Sequence, residues 1–161
     1  LAEAERVSAR RKLTHSEKEL SGIIFDRLRA NESFGRIRSK GDKALFGGRT
    51  TQDMKNRLSV PQGRPLADFL PTITIKAKDF ANEITNFNIK REDLRMEGSI
   101  AYEHIKNNAE VRKLLGKRGI VPEQLPPSED IKKIERRVES EQNKLPKQAK
   151  PSDFDESNRQ D

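Results

Sequence analysis

From Pro71 to Phe87 the apolar residues Ile73, Ala77, Phe80, Ala81, Ile84 and Phe87 return every three or four positions without interruption. That is the period of an α-helix, and a helix is what puts all six on one face. Pro71 pre-sets the first turn. Thr72-Ile73-Thr74-Ile75 alternates β-branched residues as a strand would, but the helical period continues past it and decides for helix. The same spacing recurs in Leu20, Ile23, Ile24, Phe25 and Leu28, in Ile100, Ile105, Val111, Leu114 and Leu115, and in Ile131, Ile134 and Val138. Hydrophobic residues are 32% of the 161 and charged residues 37%, against about 45–50% and about 25% in ordinary globular domains. Such a chain can build thin helical layers, or helices that await a partner, but not one thick core. The expected fold is mainly α: a small helical domain with a glycine-rich irregular segment and a disordered C-terminal tail.

Three regions follow. Residues 1–30 read as N-terminal helices with a break near Leu13-Thr14, because Thr14-His15-Ser16-Glu17 has the spacing of a capping box. An amphipathic pattern is already running at Leu1, so the chain is expected to continue from an upstream region. Residues 31–143 read as a helical core domain. Its first part, 31–49, carries Gly35, Gly41, Gly47 and Gly48 and reads as irregular, anchored by Phe34, Ile37, Leu45 and Phe46, with room for a short hairpin through Lys40-Gly41-Asp42. Thr50-Thr51-Gln52-Asp53 then opens a helix with Met54 and Leu58 facing inward, and Pro61 stops it. Ser99 starts another, which Asn107-Asn108-Ala109-Glu110 could split. Ser128-Glu129-Asp130 caps a last one. Residues 144–161 hold two prolines, no periodicity and one aromatic, Phe154, and are expected to be disordered.

Charge is distributed unevenly. Between Arg36 and Arg64 lie Arg36, Arg38, Lys40, Lys43, Arg49, Lys55, Arg57 and Arg64, against only Asp42 and Asp53. That segment supplies nearly all of the net +7 of the chain. Unbalanced positive charge on a glycine-punctuated segment is the footprint of a polyanion-binding surface. Phe34 and Phe46 are too few for base stacking, so contact with backbone phosphates is expected rather than base reading. Gly47-Gly48-Arg49-Thr50-Thr51, ahead of a helix, could also seat a phosphate on free amides; alternatively the glycines only permit a tight turn over Phe46. It is not a Walker A loop. A helix-turn-helix over Thr51–Leu70 fits in its first half and fails in its second, where Pro65 and Asp68 occupy apolar slots.

Signals for catalysis are thin. There is no cysteine, which excludes disulfides, thiolate metal sites and a cysteine nucleophile, and fits a reducing cytosol. His15 and His104 lack ligand spacing, and Glu103-His104 is half of a zinc motif with no second histidine. Asp42, Asp53, Asp68 and Asp79 could gather round Mg²⁺ only if the fold assembled them. No apolar run exceeds a few residues, so no membrane span is expected. The expectation is a protein that is not an enzyme and needs no cofactor or metal. The stripe Ile131, Ile134, Val138 offers a surface for a homodimer or another helix.

Several longer words point to a family. Ser39-Lys40-Gly41-Asp42-Lys43-Ala44-Leu45-Phe46-Gly47-Gly48, Thr51-Gln52-Asp53-Met54-Lys55-Asn56-Arg57-Leu58, and Leu66-Ala67-Asp68-Phe69-Leu70-Pro71 running into Ile75-Lys76-Ala77-Lys78-Asp79-Phe80-Ala81-Asn82-Glu83 resemble the C-terminal part of DNA-damage-inducible protein D (DinD). Glu103-His104-Ile105-Lys106-Asn107-Asn108, Leu125-Pro126-Pro127 and Glu129-Asp130-Ile131-Lys132-Lys133 are similar to it as well, so the likeness covers about residues 4–140. The resemblance implies a bacterial, cytoplasmic protein of the SOS response, active on the recombinase RecA and single-stranded DNA, with an upstream domain similar to phage antirepressors. It brings no established catalytic residues.

Overall fold

The computed structural model describes residues 1–145, and the expected disordered tail lies almost wholly outside them. Six α-helices appear in this order: α1 (Ala2–Leu28), α2 (Ser33–Leu45), α3 (Thr51–Arg57), α4 (Thr72–Arg91), α5 (Glu97–Lys117) and α6 (Ile131–Lys144). Short 3₁₀ turns at Leu66–Phe69 and Pro122–Gln124 lie between them, and no strand occurs among the described residues. The expected mainly α class holds; the expected hairpin does not.

Four helices pack in a ring in the cyclic order α1, α4, α5, α2, so that α2 and α4 lie diagonally opposite. Short connections at 29–32 and 92–96 make α1/α2 and α4/α5 consecutive neighbours, as expected of helices joined by a few residues. The interior is layered. Leu13, Leu45, Phe46, Met54, Leu66, Leu70, Ile75 and Val111 form one apolar cluster. Leu20, Ile24, Ile37, Ile89 and Ile100 form a second. Between them every helix of the ring presents buried polar residues at the same level: Ser16 from α1, Asp42 from α2, Lys78, Asn82, Thr85 and Asn86 from α4, and His104, Asn107 and Asn108 from α5.

Three sequence expectations are corrected here. Residues 33–45 are a helix rather than an irregular segment. Gly41 belongs inside that helix because α5 comes so close: a Cβ there would stand 2.5 Å from His104 Cδ2 and 2.9 Å from Asn108 Nδ2. The glycine marks close helix approach, not a turn. Helix α1 runs unbroken through Thr14, whose hydroxyl donates to the Arg10 carbonyl at 3.1 Å as helix-interior threonines do. Two residues on, Ser16 accepts from Asn82 and its carbonyl accepts from Asn86, so α4 stabilises α1 where a break was expected. Likewise α5 passes unbroken through Asn107 and Asn108, which bond to side chains and to the backbone one turn back.

The third correction concerns α4. It is a helix as expected, but its apolar stripe is divided. Ala77 and Ala81 are buried, as are Ile75 and Ile89, while Ile73, Phe80 and Phe87 are 44%, 57% and 62% exposed, and Thr74, Lys78, Asn82, Thr85 and Asn86 share the buried side. Polarity predicts exposure only while polar groups lack partners inside, and here α2, α1 and α5 supply them to Lys78, to Asn82 and the Asn86 amide nitrogen, and to Thr85. The Ile131, Ile134, Val138 stripe of α6, by contrast, packs within the chain against Val7 of α1.

Candidate polyanion-binding groove

The helix α3 starts on a capping box: the Thr50 hydroxyl accepts from the Asp53 amide at 3.0 Å, and the Asp53 carboxylate accepts from the Thr50 amide at 2.9 Å. Those bonds, the Thr50 amide first, hold the Asp53 carboxyl below its usual range. A carboxylate of the chain itself thus occupies the position sketched for a phosphate. The amides of Gly48 and Arg49 are also used, donating to the Lys43 and Phe46 carbonyls. Gly47 and Gly48 adopt positive φ of 65° and 95°, and Gly47 lies against the Arg112–Glu123 ion pair, where a Cβ would come within 2.7 Å of Arg112 Nη2. Gly47, Gly48, Thr50 and Thr51 therefore build a turn and a helix cap rather than an open amide seat.

The eight basic residues divide by what they touch. Arg36 pairs with Glu97 at 2.8 Å, and Arg38 approaches Glu17 at 3.7 Å. Arg64 bridges Asp130 at 2.6 Å and Asp68 at 3.0 Å, joining the start of α6 to the 3₁₀ turn at 66–69. Its hydrogen bond drops the Asp130 carboxyl to about 2. The remaining five, Lys40, Lys43, Arg49, Lys55 and Arg57, form no ion pair among the described residues. Lys40, Lys43 and Lys55 converge with Thr50, Thr51 and Gln52 on a shallow groove of about 410 Å³ between α2 and α3. A neighbouring depression of about 380 Å³ shares Ser39, Thr51 and Lys55 and adds Arg38 and Arg64. No acidic side chain lines either.

The groove floor connects to the polar layer. The Thr51 hydroxyl donates to Asp42 Oδ2 at 2.7 Å, and Lys78 Nζ donates to Asp42 Oδ1 at 2.7 Å. Burial alone would raise the Asp42 carboxyl; Lys78 and the two hydrogen bonds outweigh it and hold it below the usual range. Behind this pair sits His104. Thr85 donates its hydroxyl proton to the Ala81 carbonyl at 2.9 Å and accepts from Asn107 Nδ2 at 2.9 Å. It can then only accept from His104 Nδ1, 2.8 Å away, which fixes the Nδ1–H tautomer. Nε2 faces the Asn108 amide at 3.4 Å, a group with no carboxylate to receive a second ring proton. Burial foremost lowers the His104 pKa to about 4.

The four aspartates weighed as a Mg²⁺ cluster do not gather among the described residues. Asp42 is paired with Lys78, Asp53 caps α3, and Asp68 accepts from Arg10 and Arg64. Among the described residues no three His, Asp or Glu side chains lie close enough to share a metal ion. No described helix is long and apolar enough to cross a membrane. Sequence reasoning missed Lys78 and the Arg112–Glu123 pair, which closes the turn at Gly47 with bonds of 2.8 Å to Glu123 and 3.0 Å to the Leu45 carbonyl. The signal for Lys78 was its phase: with Asn82, Thr85 and Asn86 it forms a polar stripe on one face of α4.

A search of curated proteins returns no match. The family model described as the DinD C-terminal domain matches residues 1–134. The match spans the whole helical ring, the basic groove and the start of α6, and the chain belongs to the DinD C-terminal domain family.

Proposed function

We propose that this chain is a non-enzymatic regulator in the bacterial DNA-damage response, acting on RecA filaments on single-stranded DNA through the groove between α2 and α3. Membership of the DinD family fits a role in the DNA-damage response. The observation that carries the surface is the convergence of Lys40, Lys43 and Lys55, without ion pairs among the described residues, on a groove lined otherwise by hydroxyls and an amide. Three unneutralised ammonium groups repel one another, and a phosphate backbone or an acidic protein surface relieves that repulsion. Lysines and hydroxyls act as point donors to phosphate oxygens and read no sequence, so the groove suits a strand of any sequence. Arg49 and Arg57 extend the available charge; Arg36, Arg38 and Arg64 are engaged within the fold.

The test is binding to labelled single-stranded DNA across a salt series, with and without RecA and a nucleotide. Wild-type chain is compared with a Lys40→Glu, Lys43→Glu, Lys55→Glu variant whose helical circular dichroism matches it. Each phosphate contact contributes about 0.7 to the log–log salt slope on single strands, so three lysines account for a slope change of about 2. Binding to bare DNA that the variant loses would make the chain a nucleic-acid module in its own right. Binding to RecA-coated strands alone, again lost in the variant, supports filament regulation. An unchanged variant under both conditions removes the groove from consideration.

A further inference from the structure

The outward stripe of α4 fits a second copy of the same helix. Ile73, Phe80 and Phe87 are spaced seven apart, and Ile84 is half-buried beside them. They span about 21 Å at 1.5 Å per residue on the one side of α4 that neither α1 nor α5 covers. Because the hydrogen-bonding face of the helix is spent inside the ring, the stripe is not a core face that has come loose. Two large aromatics more than half exposed and an isoleucine 44% exposed, in register, form an apolar strip, and such strips mark interaction surfaces.

What occupies it follows from the pattern. The stripe is symmetric about Phe80, so an antiparallel partner on a two-fold axis sets Phe80 against its own copy and Ile73 against Phe87. Such an isologous contact must satisfy both copies with one set of residues. The charges do. Lys76 and Glu83 lie on the same flank of the stripe, and the two-fold brings Lys76 of each copy beside Glu83 of the other. Glu83 forms no ion pair among the described residues; Lys76 is held by Glu5 at the rim, and Arg91 lies over the Phe87 ring at 5.3 Å, leaving its other face open. A parallel pair would instead turn the Lys76 and Glu83 flank of each copy toward the uncharged Ala77 and Ile84 flank of the other, leaving no charge pairing.

We infer that α4 mediates two-fold, antiparallel self-association of this chain through Ile73, Phe80 and Phe87, with reciprocal Lys76–Glu83 pairs. The strip exposes about 300 Å² of apolar surface per copy, estimated from aromatics that can bury about 150–250 Å² each. That is well below the roughly 800 Å² per partner of a standard interface, so the dimer is weak. In the ring α2 is diagonal to α4, so both basic grooves stay open in the pair. The inference does not depend on what those grooves bind.

Sedimentation equilibrium of the 161-residue chain to about 1 mM should show a monomer–dimer equilibrium. Phe80→Glu, which places two carboxylates on the axis, should remain monomeric. Glu83→Lys should weaken association at least about tenfold, and Lys76→Glu with Glu83→Lys together should restore most of it. The chain has no cysteine, which permits a second test under mild oxidation. Phe80→Cys alone should form a disulfide-linked dimer. Ile73→Cys should not link to itself, since its two copies lie about 21 Å apart, but should link to Phe87→Cys in a mixture. All these positions are exposed, so folding is retained and circular dichroism verifies it. A monomer at 1 mM, a dimer indifferent to Phe80→Glu, or Ile73→Cys linking to itself would each overturn the inference.

Discussion

Lowering the pH should destabilise this fold by a predictable amount through His104 alone. In the unfolded chain the imidazole takes a proton below its ordinary value of 6.5; in the folded chain it stays neutral down to about 4. Between those values the unfolded state binds more protons, so stability rises with pH across that window and falls as pH drops through it. Above about pH 7 the term is flat. The difference in pKa, at 1.36 kcal/mol per unit, sets its size at about 3 kcal/mol. The carboxylates held low by their partners, Asp42 and Asp130 among them, add acid sensitivity of the same sign. The comparison must therefore be with a variant that keeps them. His104→Asn removes the titrating ring and leaves an amide to donate to Thr85. Urea unfolding of both proteins followed by circular dichroism, at several pH values from about 7 to about 4, gives the gap between them at each pH. Whatever the gap near neutrality, it should shrink by about 3 kcal/mol by pH 4. A gap independent of pH would mean that water or a rearranged Nε2 partner accommodates the charged ring, and would refute the derivation.

Two further expectations concern the same layer. Gly41→Ala should destabilise by about 1–3 kcal/mol, because the new methyl would sit 2.5 Å from the His104 ring. Gly35→Ala, in the same helix with open space around it, should stabilise by about 0.5–1 kcal/mol; equal effects in thermal melts would remove the close-approach account of Gly41. Lys78→Met strands the buried Asp42 carboxylate and should cost about 3–5 kcal/mol, whereas Asp42→Leu with Lys78→Met should cost less than either single change. Additive losses in that double-mutant cycle would show that the pair is not coupled.

The helical class, most helix positions and the basic segment were legible because each rests on local pattern. A 3.6-residue period, a helix opening at Thr50-Thr51 and an unbalanced charge run need no knowledge of what lies across the fold. The family words were legible for the same reason. The break at Thr14 and the hairpin at Gly41 were misread because local chemistry was ambiguous there. The same Thr-x-x-Glu spacing serves a cap or a helix interior, and the same glycine serves a turn or a close contact.

By itself the sequence determined that the chain is helical, that its positive charge gathers between Arg36 and Arg64, and which stretches could pack. The tertiary structure decided which faces did. It turned α4 so that Thr85, Asn82 and Lys78 face inward and Phe80 outward, because α1, α2 and α5 together offer partners that no single helix carries. It likewise sorted the eight basic residues into those that form ion pairs within the fold and those that form none among the described residues. Periodicity reports that a helix has two faces; only the neighbours, by supplying or withholding hydrogen bonds and counter-charges, settle which of them is the inside.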